Sequence, residues 1–337
     1  MSNVKISVVV PTFEQKLRLK AIVEILCSLK PVDEIIIIDS SSQPIDIKLL
    51  PTNKKLKYLF HPGMNPVEKL YIGSSTATHE LTLLHPDGEL VNEIALEQII
   101  KGFSHKHSSS VAFNFTCYKK RDKRYVSTRN FHNFKHLDPN NFRNLNKSLS
   151  PYYQMIWGVH KSSLLKKFFR FSKKIDWLQD HINHAGLFEL LFNYFMITKG
   201  RVYISKTPLF IRNNVRNYNT VQSYVDWVYD FKQNSIKHVK FFKQIVKASY
   251  TEFNMSQSEF YSMFSKALEN GAEFRLKQNN VLMKLKRKIF LKKQLGRDLF
   301  AVSNMAETSR KEFKMLFSLE FLTWLEKIKE RLYLFEE

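Results

Sequence analysis

Three short runs of branched apolar residues, each followed at once by polar residues, most constrain how this chain can fold. The runs are Ser7–Val10, Ile35–Ile38 and Leu81–Leu84, and the residues that follow them are Pro11-Thr12, Asp39-Ser40 and His85-Pro86-Asp87. Continuous apolar runs of this length are typical of strands buried on both faces, as in parallel sheets. The carboxyl ends of parallel strands lie along one edge, where open α/β sheets bind ligands. The sequence therefore predicts an α/β fold with a ligand site at that edge.

The segments between and after these runs alternate between helical and strand periodicity. Helical patterns occupy 17–29, 67–75, 92–103, 162–171 and 177–198, and further strand patterns occupy 56–60, 109–118, 121–126, 152–159 and 201–211. This order predicts a Rossmann-like, mostly parallel sheet flanked by helices over residues 1–217. The weakly periodic stretch 127–151 is long enough to be a functional loop.

Beyond about residue 217 the strand patterns stop and only helical patterns remain. They occupy 221–248, 256–270, 280–300 and 308–335. We therefore expect a second, helical C-terminal domain over residues 218–337.

The charge balance favours acidic partners. The chain has 53 Lys and Arg against 31 Asp and Glu, a net charge of +22, which fits phosphates, an anionic membrane surface or nucleic acid. Nucleic acid is disfavoured because no recognised binding module is present. The basic stretch from Lys284 to Arg297 is interleaved with leucine and isoleucine, so it fits either a membrane-surface helix or a solvated helix face.

Two further features bear on the compartment. No apolar stretch approaches the roughly 20 residues of a membrane span, and the N-terminal residues have no apolar signal region. The two cysteines, Cys27 and Cys117, fit buried free thiols in a reducing compartment. We expect a cytoplasmic protein, with peripheral attachment to the inner face of the membrane as a second expectation.

Several side chains at or near the strand ends could bind a ligand. Asp39 can accept hydrogen bonds from a ribose hydroxyl or a uracil N–H, or it can cap the serine turn that follows it. Glu14 follows the first strand and reads equally as an ordinary first-turn helix acid. Lys69 could neutralise a diphosphate or could be one solvated lysine among many. The first turn has no glycine-rich loop, which excludes a dinucleotide fingerprint and a P-loop.

The residues after the third run could hold a metal. His85, Asp87 and Glu89 occupy alternate positions, and oxygen ligands spaced in this way can face a hard divalent cation. Histidine is a softer ligand that suits Mn or Zn better. The alternative interpretation is a polar turn after a strand.

Two acidic residues further along are candidates for a general base. Glu189 lies inside the apolar run 187–197, where a carboxylate is costly unless it is paired or functional. Asp180, which shares a helical face with Asp176 and His184, is the second choice for the base. A metal role for Asp180 and His184 is the weaker interpretation, because such a face is more often solvated.

Taken together, these residues over roughly 5–212 resemble a family 2-like glycosyltransferase of the GT-A fold, of the bacterial surface-polysaccharide type. Val8 to Glu14 is similar to the family's opening strand and loop, usually V-x-P-T-Y-N, and Ile35 to Ser42 is similar to its second strand. Pro66 to Lys69 resembles a helix start that bears a basic residue. Leu84 to Leu90 takes the place of the D-x-D motif, and Trp157 to His160 resembles the acceptor-side strand. The departures are His85 at the first Asp of D-x-D and Glu14 at the usual Asn.

The resemblance implies an inverting glycosyltransferase that moves a sugar from a UDP- or GDP-sugar to a saccharide or lipid-linked acceptor. It implies nucleotide-sugar contacts by Pro11, Thr12, Glu14, Asp39 and Lys69 and a divalent cation, Mn or Mg, at Asp87 with His85 and Glu89. The base would be Glu189 or Asp180, and the loop 127–151 would shape the acceptor site. Two alternatives stay open: a non-catalytic GT-A-like binding or scaffold protein, and a basic membrane-surface protein.

Overall fold

The computed structural model describes residues 4–103, 108–121, 124–130, 155–177, 185–213, 227–233 and 235–279. Its first half is a parallel sheet made of the strands that the apolar runs predict. These are β1 (Ile6–Thr12), β2 (Val32–Asp39), β3 (Leu56–Phe60) and β4 (Leu81–Leu84), in the spatial order β3-β2-β1-β4. The runs form strands because their branched side chains pack on both faces of the sheet, where all four side chains of β4 and those of Ile35–Asp39 are buried.

The second half of the sheet mixes strand directions. It contains β5 (Glu89–Val91), β6 (Ser108–Arg121), β7 (Arg124–Asn130), β8 (Val159–Lys161) and β9 (Arg201–Asn213). β8 is antiparallel to both β4 and β6, β9 is parallel to β6, and β5 is antiparallel to β9. The predicted α/β fold, a parallel sheet core flanked by helices with a helical C-terminal region, is confirmed.

Helices cover both faces of this sheet, and each face has its own apolar core. One face carries α1 (Lys16–Ser28) and α3 (Glu93–Gly102), which pack on Ile6, Val8 and Val10. The other, which we name the α2/α4 face, carries α2 (Pro66–Thr76), α4 (Ser162–Ser172), α5 (Ala185–Thr198), α6 (Ile236–Ser249) and α7 (Gln257–Asn279). Successive residues of β1 point alternately into the two cores, as the pleat of a strand requires.

The described C-terminal helices join the core of the α2/α4 face. Phe242 of α6 and Phe264 of α7 stack with their ring centroids 5.7 Å apart, in the same apolar cluster as Val9 of β1. Aromatic pairs of this kind contribute stability beyond the area that they bury. The division of the chain at residue 217 stays a prediction, because that residue lies outside the described part.

One predicted strand and one predicted helix are each interrupted in the structure. The stretch 152–159 was expected as one strand, but residues 155–158 form a turn and a bend, and β8 begins only at Val159. The helix expected over 221–248 is interrupted at Gln233, and α6 begins anew at Ile236. In both cases apolar residues that belong to tertiary packing were interpreted as strand or helix periodicity. The predicted helices at 280–300 and 308–335 lie outside the described residues.

Helix α2 lies unusually close to β1 because residue 73 is glycine. A Cβ at Gly73 would overlap Cγ1 of Val9 and come within 3.3 Å of Cγ1 of Ile38. Lys69 is one turn earlier on the same side of the helix, since residues four apart share a face. The small side chain at Gly73 therefore lets α2 settle onto the sheet and brings Lys69 to the end of β1.

We expect Gly73→Ala to lower the free energy of unfolding by about 1–3 kcal/mol, because overpacking a filled interface forces side chains and backbone to shift. Gly102→Ala is the matched control, since a Cβ at Gly102 would meet no atom within 4 Å. Chemical denaturation of the two variants and the wild type measures the effect. Equal stability of Gly73→Ala and wild type would contradict the close α2–β1 contact.

Candidate functional site

The carboxyl ends of β1, β2 and β4 meet at one edge of the sheet, as the sequence predicts. Thr12, the last residue of β1, is the register partner of Asp39, the last residue of β2. The backbone N–H of His85, just after β4, donates to the carbonyl oxygen of Val9 at 2.9 Å. The backbone N–H of Ser40 donates to Thr12 O, which ties the exits of β1 and β2 together. These exits form the candidate site, and Pro11 lies half-buried within β1 beside it.

Asp39 is buried, and both of its carboxylate oxygens accept hydrogen bonds. Oδ1 accepts from the backbone N–H of Ser41 at 2.9 Å and from Ser41 Oγ at 2.5 Å, and Oδ2 accepts from Tyr58 Oη at 2.6 Å. Burial, and after it the hydrogen bond to Asp39, raises the pKa of Tyr58, so this phenol stays a donor. The turn-capping interpretation of Asp39 is therefore confirmed, and Tyr58 is a partner that the sequence analysis did not identify.

Glu14 joins the loop after β1 to the loop after β2. Its backbone N–H donates to Ser41 Oγ at 2.8 Å, and its Oε1 accepts from the N–H and the Oγ of Ser42 at 2.9 and 2.8 Å. The backbone of Glu14 has a φ of 55°, in the left-handed region that asparagine tolerates better than glutamate. The usual Asn of the resembled motif suits this backbone, whereas Glu14 compensates by bonding across to Ser42.

Lys69 lies buried at the edge, so the solvated-lysine interpretation is wrong. Its Nζ donates to the carbonyl oxygen of Thr12 at 2.9 Å. Burial lowers the pKa of Lys69, while the carboxylates of Asp87 and Asp39 oppose that shift. The helix start is well formed, because Asn65 Oδ1 accepts from the N–H of Glu68 at 2.9 Å. The edge thus holds a fixed cation between two acidic side chains.

Asp87 lies half-buried in the turn after β4, next to the loop after β1. Its Oδ2 accepts from the backbone N–H of Phe13 at 3.3 Å. Burial raises the pKa of Asp87. The Thr12 hydroxyl, the Phe13 N–H and the positive charge of Lys69 each lower this pKa, but together they do not cancel the effect of burial. A positive charge close to Asp87 therefore favours its ionised form against the effect of burial.

His85 occupies a different environment from Asp87. Its ring is fully buried and meets the Phe210 ring edge-to-face, with centroids 5.2 Å apart. Burial lowers the pKa of His85 to about 4, so the imidazole is neutral at physiological pH. Nδ1 makes no hydrogen bond within the described part of the chain.

The alternate spacing of His85, Asp87 and Glu89 does not make a three-residue metal site here. That spacing aligns side chains only in an extended strand, and residues 87–88 form a turn between β4 and β5 instead. Among the described residues, no group of three or more His, Cys, Asp or Glu side chains could hold a metal ion. Glu89 is buried in β5, where it is the register partner of Arg212 in β9.

One side chain at the edge that the sequence analysis passed over is Phe13. It is a large apolar residue with 56 % of its surface exposed, and its own N–H bonds to Asp87. An exposed aromatic ring beside buried polar groups can stack on a planar ligand group. The sequence signal that could have identified Phe13 is its position between Thr12 and Glu14, which are both predicted to contact the nucleotide sugar.

The predicted base and acceptor residues fall only partly within the described residues. Glu189 is half-buried on α5, between the buried side chains of Phe188 and Leu190 on the α2/α4 face. Three predicted features lie outside the described residues: Asp180, residues 131–151 of the predicted acceptor loop and the basic stretch 284–297. The catalytic role of Glu189 and Asp180 stays a prediction. None of the helices in the described residues is long and apolar enough to cross a membrane.

Comparison with known proteins gives one family match. Residues 7–168, a little under half of the chain, match the family model described as glycosyl transferase family 2. This stretch contains every candidate residue at the sheet edge, so the predicted resemblance to this family, with the glycosyltransferase activity that it implies, is confirmed over these residues. No curated protein sequence matches the chain.

Solved structures of low sequence identity also align with the chain. The crystal structure of S. aureus TarS 1-349 is 12 % identical, with a TM-score of 0.45, and the alignment covers 82 % of this chain and 92 % of that one. The mannosyltransferase PcManGT from Pyrobaculum calidifontis, in complex with GDP-Man and Mn²⁺, is 12 % identical with a TM-score of 0.44. That alignment covers 97 % of this chain and 87 % of PcManGT.

Proposed function

We propose that this chain, whose residues 7–168 form a glycosyl transferase family 2 region, is an inverting enzyme that uses a nucleotide-diphosphate sugar as donor. The observation that carries the proposal is the convergence of Lys69, Asp39 and Asp87 at the carboxyl edge of a parallel sheet. Open α/β sheets bind ligands at this edge, and a buried ammonium group there suits a diphosphate. The donor nucleotide is UDP or GDP.

The nucleoside would bind between the loops that follow β1 and β2. Phe13 would stack on the base, and Asp39, held in place by Tyr58 and Ser41, would accept a hydrogen bond from the ribose or the base. Glu14 would act by fixing the two loops together through Ser42. A site whose side chains are already hydrogen-bonded loses little conformational entropy when the ligand binds.

Lys69 would offset the negative charge of the diphosphate. That charge grows as the bond from the anomeric carbon to the diphosphate oxygen breaks, so a fixed cation stabilises the transition state more than the bound donor. The acceptor hydroxyl oxygen would form the new bond to the anomeric carbon from the opposite side, which inverts its configuration. Glu189, or Asp180 as second choice, would take the proton of that hydroxyl.

Of the three predicted metal ligands, only Asp87 is half-buried, whereas His85 and Glu89 are buried, so a divalent cation, Mn or Mg, would be held through Asp87. When bound, such an ion would add positive charge at the diphosphate. The described residues bring no three-ligand group together, and His85 packs against Phe210. We therefore assign the main charge compensation to Lys69.

We expect Lys69→Ala to weaken binding of UDP or GDP by about 10- to 100-fold, the range that a lost charge-assisted hydrogen bond produces. EDTA should weaken binding to the wild type by less than that. Lys55→Ala is the control, because Lys55 is a half-buried lysine that bonds to the carbonyl oxygen of Cys27, away from this edge. Isothermal titration calorimetry measures all three. Abolition of binding by EDTA, with Lys69→Ala unaffected, would transfer the role from Lys69 to a metal.

The acceptor and the location follow as further parts of the proposal. We infer a saccharide or lipid-linked acceptor whose site residues 127–151 help to shape, although 127–130 belong to β7 instead of the predicted loop. We also infer a role in cell-surface polysaccharide synthesis at the cytoplasmic face of the membrane. The main rival function is a non-catalytic GT-A-like binding protein. Measuring the release of UDP or GDP from a panel of nucleotide sugars, with and without candidate acceptors, distinguishes the enzyme from the binding protein. A binding protein would release no nucleotide from any of these sugars.

A further inference from the structure

The exposed sides of two neighbouring helices on the α2/α4 face carry charge of one sign. α4 and α6 contact each other, and neither helix contains an acidic residue. Their exposed charged residues are all basic: Lys167 and Arg170 on α4, and Lys237, Lys240, Lys243 and Lys247 on α6. We name this combined area the α4–α6 surface.

The helices on the other face of the sheet are mixed in charge. On α1, Lys20 and Glu24 are both exposed one turn apart, and α3 begins with Glu93 and ends near Lys101. The high net charge of the chain alone would spread basic residues over both faces. The basic residues are instead concentrated on the α4–α6 surface, although α2 and α7 of the same face carry the exposed Glu68 and Glu259. Such a local basic area would attract an acidic surface.

The lysines of α6 form a stripe. Lys240, Lys243 and Lys247 are three and four residues apart, so they share one side of the helix over about 10 Å. The opposite side of α6 is anchored in the core by Phe241, Phe242 and neighbouring apolar side chains. Within the part of the chain that the structure describes, none of these three lysines forms an ion pair, whereas Lys167 of α4 pairs with Glu252 at 3.1 Å.

Two large apolar residues are exposed at the start of α6 and in the segment that precedes it. Ile236, at the start of α6 and one turn before Lys240, has 86 % of its surface exposed. Tyr229, in the helical segment 227–232 that precedes α6, is 63 % exposed. A soluble polyanion would bind through the lysines alone, and exposed apolar side chains would add nothing to its binding. A lipid surface accepts both, since aliphatic and aromatic residues enter the headgroup region beside basic ones.

We propose that the α4–α6 surface docks on an anionic lipid bilayer. The lysines of α6 contact lipid phosphates, and Ile236 and Tyr229 enter the headgroup layer at one end of the stripe. This surface shares no residue with the nucleotide edge, and it does not depend on the identity of the donor. It would hold the enzyme where a lipid-linked acceptor is concentrated.

The test compares two triple variants of the full chain in a vesicle sedimentation assay at low salt. Lys240→Gln/Lys243→Gln/Lys247→Gln should reduce binding to phosphatidylcholine vesicles that contain about one-third phosphatidylglycerol by roughly 100-fold, since each basic residue near such a surface contributes about fivefold. Lys20→Gln/Lys30→Gln/Lys54→Gln removes the same charge from exposed positions outside α4 and α6, and should reduce binding severalfold at most. Thermal unfolding verifies that both variants are folded.

A third variant, Ile236→Ser, tests the apolar part of the surface and should reduce vesicle binding about tenfold without changing the charge. Wild-type protein that binds anionic vesicles no better than pure phosphatidylcholine would overturn the proposal. Equal losses in the two triple variants would also overturn it, because binding would then follow net charge alone. Binding to soluble polyphosphate but not to vesicles would show a polyanion site instead.

Discussion

Glu189→Gln is expected to leave UDP or GDP binding unchanged and to lower the turnover number of sugar transfer by about 100-fold or more, the usual effect of removing a general base. Glutamine keeps the size and a hydrogen-bonding oxygen but cannot take the acceptor proton. Glu189 lies on α5 between buried apolar residues, so the substitution adds no volume to that layer. Donor binding by calorimetry and initial rates at saturating donor measure the two effects separately.

Glu24→Gln, an exposed carboxylate on α1, is the matched control and should leave transfer unchanged. Loss of donor binding together with transfer would mean that Glu189 supports the fold instead of the chemistry. Full transfer activity in Glu189→Gln would assign the base to Asp180, and Asp180→Asn should then show the 100-fold loss.

The protein is expected to lose about 2 kcal/mol of unfolding free energy between pH 8 and pH 5 through His160 alone. This side chain is fully buried in β8, its ring meets the Phe192 ring edge-to-face, and burial lowers the pKa of His160 to about 4. The unfolded chain takes up a proton as the pH falls through about 6.5, whereas the folded chain does so only near 4. Stability contributed by neutral His160 is therefore present above pH 6.5 and is lost as the pH falls towards 4.

Denaturant unfolding of the wild type and His160→Leu at both pH values measures this contribution. The loss between pH 8 and pH 5 should be smaller in His160→Leu by about 2 kcal/mol, whatever the stability of the variant at pH 8. His61→Gln, on a half-exposed loop residue, should show the wild-type loss. An identical pH dependence in His160→Leu would mean that the imidazole is protonated in the fold. Glu34 does not contribute in this pH range. Burial raises the pKa of Glu34, but hydrogen bonds from Lys57, Ser7 and Thr78 lower it further, so protonation of Glu34 affects stability only below about pH 4.5.

The strands and the position of the site could be predicted because their causes are local. The strands at 56–60 and 81–84 match β3 and β4 at both ends, since apolar runs stop where the chain leaves the sheet. The same rule placed Asp39 at the edge. Lys69 could be placed there because the helix before β4 points its first turn towards the carboxyl ends of the strands.

The environment of each side chain at the edge could not be predicted, because it depends on distant partners. His85 meets Phe210 of β9, and Asp39 meets Tyr58 of β3, and neither pairing has a signature in the sequence. The proposed metal set assumed an extended backbone through Asp87, whereas a turn lies there. The three-residue strand β5 was missed for the same reason, since its pairing with β9 defines it more than its own composition does.

Hydrogen exchange of the wild type, with and without saturating UDP or GDP, tests most directly whether the sheet edge is the donor site. Amide exchange should slow by about tenfold or more in 11–15, 39–44 and 85–89, because ligand binding stabilises the local structure that it contacts. Peptides from α3 at 93–102, on the other side of the sheet from Lys69, should exchange as before. Protection confined to other segments, with these three loops unchanged, would contradict the account.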